Sequence, residues 1–177
     1  MLGMIFTELV EMIETRFSPE LADEILSEAN FHHGGAYTAV GYYDFSEIVT
    51  LVSLLSQKTN IPVTDLIQAF GKYLFESFTR SHSKMLAHKH SLFSLLETLD
   101  QDIHREVRKL YSAAQLPSFR VVSRTDHSME LEYRSKRHLE PLAIGLIEGA
   151  AEFYGLEKIS ITLTPCGEDA TLIQVHL

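Results

Sequence analysis

At Pro117 the spacing of apolar residues changes from helical to extended, and this switch constrains the fold more than any other feature of the chain. Ahead of it, Ile5, Leu9, Met12 and Ile13 recur at helical spacing with glutamates opposite, which predicts an amphipathic helix over 2–16. Ser18 as N-cap and Pro19 at the first helical position open a second helix to about residue 28. The aperiodic stretch 30–41, with Gly34-Gly35, reads as a loop. Ser46 or Asp44 caps a third helix to about residue 57, and Thr64 with Asp65 opens a fourth to about residue 79. After a polar connector from His82 to His90, two helices over about 91–99 and 101–114 stop before Leu116-Pro117, because proline disfavours helical geometry in the residue ahead of it.

Beyond the switch, the runs 119–123 and 129–133 are short, rich in β-formers and separated by a polar turn, which predicts a hairpin. A helix over 138–154 carries Leu139, Leu142, Leu146 and Ala150 on one side and stops at Gly155. A second hairpin joins 158–164 to 170–177 across 165–169. The expected class is therefore α+β: a helical N-terminal lobe (about 1–63) and a lobe (about 64–177) holding helices and a four-stranded antiparallel sheet in the order β-β-α-β-β. At 177 residues with 45% hydrophobic content, the chain can bury a core as one domain.

Charge and cysteine usage exclude several classes. A net charge of −9 argues against nucleic-acid binding, which needs a basic footprint. Glu8, Glu11 and Glu14 follow the N-terminus too closely for a signal peptide, and no apolar run could cross a bilayer, so a cytoplasmic protein without membrane insertion is expected. The lone Cys166 can form neither an internal disulfide nor a thiolate zinc cage; it reads as a small residue near a turn or as a redox-sensing thiol.

Two features suggest chemistry. In Tyr133-Arg134-Ser135-Lys136-Arg137, the first, third and fifth side chains point one way on an extended chain and can converge on an anionic group. Arginine offers a fork of donors matched to carboxylates, and the two hydroxyls add to it. An exposed strand end with ordinary basic residues is the alternative. His104 sits beside a predicted buried stripe of Leu96, Leu99, Ile103, Val107 and Leu110, where a neutral imidazole could bind haem iron or simply be a satisfied core-edge histidine. His32, His33, His82, His88 and His90 read as solvated. The sequence has no Walker-type or Gly-x-Gly-x-x-Gly phosphate loop, Cys166 lacks a nearby base, and a Ser-His-Asp arrangement cannot be read from scattered residues.

These residues, with the Met1-Leu2-Gly3 start, Pro117 and the Gly145-Leu146-Ile147-Glu148-Gly149 run, resemble the haem-nitric oxide/oxygen binding (H-NOX) family over essentially the whole chain. The resemblance implies haem b with ferrous iron, His104 as proximal ligand, Tyr133, Ser135 and Arg137 on the propionates, and Pro117 pressing on the macrocycle together with Ile5. Oxygen-binding members have a distal tyrosine where this chain has Leu142, and Ile5, Leu9, Leu74, Phe78 and Leu146 would complete a wall without donors. Tyr73 and Tyr154 are the tyrosines from which a donor could otherwise come. Because bound dioxygen needs a donor more than nitric oxide does, the implied ligands are nitric oxide and carbon monoxide, with oxygen excluded. The family implies a sensor without catalysis, working through weakening or cleavage of the iron–histidine bond and haem relaxation. Its partner would be a separate sensor histidine kinase or a cyclic-di-GMP synthase (diguanylate cyclase) or phosphodiesterase. A haem enzyme acting on peroxide and a haem-free interaction module are the competing classes.

Overall fold

The computed structural model describes residues 1–81, 86 and 88–177; the expectation for His82 lies outside the described residues. The chain divides into two compact units, Met1–Phe70 and Gly71–Leu177.

The first unit contains α1 (Gly3–Arg16), α2 (Pro19–Ala29), α3 (Phe45–Thr59) and the start of α4 (Val63–Ser81). Ser18 caps α2 by accepting from the Leu21 N–H at 3.1 Å, and Asp44 caps α3 by accepting from the Ser46 N–H at 2.9 Å. Helix α1 has Leu2 at its N-cap and no side-chain cap. Its first amides are satisfied by the loop instead, Gly3 N–H donating to Gly41 O at 2.7 Å and Met4 N–H to Ala39 O at 2.9 Å. Phe6, Leu9, Ile13, Ile25, Leu51 and Leu55 are fully buried.

His33 departs from its expectation as a solvated histidine. Its side chain is only 18% exposed and its Nε2 lies 2.8 Å from Glu47 Oε2, which also accepts from the Tyr37 hydroxyl at 2.9 Å. The carboxylate and the rings of Phe31, Tyr37 and Tyr43 draw the imidazole inward. His32, His88 and His90 are exposed.

The second unit holds the rest of α4, then α5 (Leu92–Glu97), a π-helical segment (Leu99–His104), α6 (Arg105–Leu110), β1 (Ser118–Arg124), β2 (Ser128–Arg134), α7 (Glu140–Phe153), β3 (Ser160–Gly167) and β4 (Ala170–His176). The four strands form one antiparallel sheet in the order β1-β2-β4-β3. Met129 and Leu131 of β2 and Ile173 and Val175 of β4 are fully buried at two-residue spacing. Ala143, Ile147, Ala150 and Ala151 of α7 and Leu92, Phe93, Leu95 and Leu96 of α5 join them in one core. Polar side chains link all four strands: Ser123 donates to Glu130 at 2.8 Å, Gln174 to Glu130 at 2.5 Å and Thr162 to Gln174 at 3.0 Å.

The stretch before Pro117 differs from a pair of regular helices. The π-helical segment uses i→i+5 spacing and consumes more residues per turn than an α-helix, so it rotates α6 off the buried stripe. Leu96 is buried and Leu99 and Ile103 pack on the core, but Leu110 is 69% exposed and ends the helix four residues early. The connector is not uniformly solvated either: Leu86 is buried, and Lys89 pairs with Asp102 at 2.5 Å. No described helix is long and apolar enough to cross a membrane.

Candidate functional site

His104 ends the π-helical segment with its side chain 12% exposed. Its Nδ1 lies 2.6 Å from Asp100 Oδ1, and the other oxygen of that carboxylate accepts from the Phe119 N–H at 3.1 Å. Burial holds the His104 pKa below its ordinary value and outweighs the upward pull of Asp100, so the ring is neutral at neutral pH. A carboxylate partner selects Nδ1 as the protonated nitrogen and leaves the Nε2 lone pair for coordination.

Phe119 connects this histidine to the second candidate element. Its ring centroid lies 5.9 Å from that of His104 and 5.1 Å from that of Tyr133. Tyr133, near the end of β2, is 2% exposed, with the Ser135 side chain and the Leu139 backbone near its hydroxyl. Burial raises its pKa, which keeps the hydroxyl protonated as a donor. The strand stops at Arg134, so Ser135 and Arg137 are brought round by a turn and not by an extended chain. Ser135 N–H donates to Asp169 O at 3.0 Å, the Arg137 N–H donates to Ser135 Oγ at 3.2 Å, and His138 has φ 49°. Burial still alternates: Tyr133, Ser135 and Arg137 are more enclosed than Arg134 and Lys136. The Arg137 guanidinium donates to Gln115 O at 3.0 Å and Gln115 Oε1 at 2.9 Å, which ties the turn to the segment carrying Pro117.

Leu74 and Phe78 lie one turn apart on α4, Leu142 and Leu146 one turn apart on α7, and all four are partly buried. The helices meet at Gly71, where a Cβ would fall 2.3 Å from Leu142 O. The Tyr154 hydroxyl is committed to Lys89 O at 3.0 Å. Tyr73 is buried, and as the residue next to Leu74 it is rotated about 100° around α4. Ile5 and Leu9 belong to the first unit, Ile5 partly and Leu9 fully buried. Sequence reasoning missed Asp100, Gln115 and Phe119. The first was visible as an i, i+4 pair with His104, whereas the other two meet the site only through tertiary contacts.

A family model described as Haem-NO-binding matches residues 2–163. The chain belongs to the H-NOX family. Among curated proteins, this H-NOX chain is 26% identical over 165 residues to soluble guanylate cyclase gcy-35 of Caenorhabditis elegans, covering 90% of itself and 24% of that cyclase. It therefore spans about a quarter of that relative's length. Among solved structures, it is similar to the Fe(II) unliganded H-NOX protein from K. algicida, with 30% identity, TM-score 0.91 and coverage of 99% and 96% of the two chains. It is also similar to the IWP-051-bound H-NOX from Shewanella woodyi in the Fe(II)CO state, with 37% identity, TM-score 0.86 and coverage of 99% and 94%. H-NOX domains are sensor domains and not enzymes, and haem is their cofactor. The donor set of the H-NOX chain fits that group: a neutral, oriented imidazole, hydroxyl and guanidinium donors suited to carboxylates, and partly buried apolar side chains on α4 and α7.

Proposed function

We propose that the chain senses nitric oxide through haem, discriminates against oxygen and passes its state to a separate signalling protein. The observation that carries this reading is the carboxylate-held His104, joined through Phe119 to the Tyr133, Ser135 and Arg137 turn within one compact unit. His104 would bind iron through Nε2, and Tyr133, Ser135 and Arg137 would hold the propionates. Pro117, just ahead of β1, would bear on the macrocycle, a role that rests on the family alone. For Ile5 and Leu9 the proposal rests on the family alone.

When bound, ferrous haem supplies an open coordination position for a diatomic gas and a histidine bond whose strength that gas changes. Leu74, Phe78, Leu142 and Leu146 offer that gas no hydrogen-bond donor, which disfavours dioxygen and leaves nitric oxide and carbon monoxide. The same wall disfavours peroxide chemistry, which needs polar acid–base groups. The released or bound position of His104 is the two-state variable, and a sensor histidine kinase or a cyclic-di-GMP synthase or phosphodiesterase is the proposed reader.

The test is the absorption spectrum of the haem-reconstituted ferrous protein in air and then with nitric oxide. A nitrosyl complex without a stable oxygen complex is expected; a stable oxygen complex overturns the selectivity. Failure to form a Soret band points to a haem-free interaction module, and rapid peroxide turnover to an enzyme. In His104→Gly, haem retention should be lost and then restored by free imidazole.

A further inference from the structure

We propose that Asp100 is the positioning residue of the haem ligand His104, fixing the ring with Nδ1 as donor and fastening it to the backbone of β1. This role presupposes that the chain binds haem through His104. One carboxylate serves two donors that are far apart in sequence, His104 Nδ1 at 2.6 Å and the Phe119 N–H at 3.1 Å. Asp100 and His104 stand four residues apart within the π-helical segment, a geometry frequently found at functional sites, and Phe119 is the second residue of β1. The Phe119 ring also lies against both His104 and Tyr133.

A negatively charged acceptor on Nδ1 makes Nε2 a stronger donor to a metal, so Asp100 strengthens the bond that the gas must weaken. Because the same carboxylate holds the Phe119 amide, a change in His104 position is transmitted to the start of β1, two residues beyond Pro117, without crossing the hydrophobic core.

Asp100→Asn separates the two roles, since the amide oxygen can serve either donor but not both, and carries no charge. In the ferrous haem-loaded variant the iron–histidine stretching band should move to lower frequency, and haem loss should quicken by about tenfold, at the lower end of what the loss of such an outer hydrogen bond costs. In the haem-free chain, hydrogen exchange at the Phe119 amide should quicken, and the slowly exchanging Nδ1 proton of His104 should lose its downfield position. An unmoved stretching band together with unchanged Phe119 exchange overturns the proposal. If the variant does not fold, wild-type nuclear magnetic resonance decides: a hydrogen-bonded Nδ1 proton on His104 supports the role, and an Nε2-protonated ring sinks it. Failure of the wild type to take up haem refutes the sensing function, while the haem-free signals still judge Asp100 as the anchor of the ring.

Discussion

Arg137 illustrates how far a single side chain can be read. Its type and place in the motif announce a carboxylate-binding fork, but its engagement of both oxygens of Gln115 could not be inferred, because Gln115 lies 22 residues away and on the far side of β1 and β2. In the proposed clamp, that pairing would hold the guanidinium in place and lower the ordering entropy lost on binding a carboxylate. Arg137→Ala should therefore lose a charge-assisted hydrogen bond worth about 1.5–3 kcal/mol, which amounts to roughly tenfold or more in the rate of haem transfer to an acceptor protein. An unchanged rate would remove Arg137 from the clamp. His104 was equally legible by type, and its tautomer was not, since that depends on the Asp100 carboxylate beside it.

Among elements, α1 and the π-helical segment diverge most from what local rules anticipate. Helix α1 has an apolar N-cap residue, and its opening amides rely on carbonyls of the loop at Ala39 and Gly41. Gly3 is what permits that approach: a Cβ there would fall 2.0 Å from Thr38 O. Gly3→Ala should destabilise the protein by about 1–3 kcal/mol through this overpacking, read as a lower urea midpoint; an unshifted midpoint would mean that the loop gives way freely. Apolar spacing predicts a regular helix before Pro117 because it reports which residues face inward, not how many residues the turn contains. A π-turn keeps Leu99 and Ile103 on the core and forfeits Leu110.

At the scale of the whole molecule, an ion pair between β1 and β2 contributes to the response to acid. Glu132 is buried between Arg120 and Arg134, and its hydrogen bond with Arg120, more than the neighbouring Arg134, holds its pKa below the ordinary 4.5. A depressed carboxylate contributes stability that is present above the ordinary value and is lost as pH falls through the lowered one. Glu132→Gln should flatten that acid limb: the difference in urea midpoint between wild type and variant at pH 7 should shrink at pH 3. A constant difference would show that Glu132 contributes only packing. Periodicity and turn chemistry by themselves determined the α+β class and the two hairpins, because those are consequences of nearest neighbours along the chain, and the family resemblance singled out the candidate site residues. Only the tertiary structure decided the strand order β1-β2-β4-β3, the pairing of Arg137 with Gln115, and the approach of Phe119 to Asp100, His104 and Tyr133. These are contacts between segments remote in sequence, and local propensity carries no energy term that distinguishes one distant partner from another.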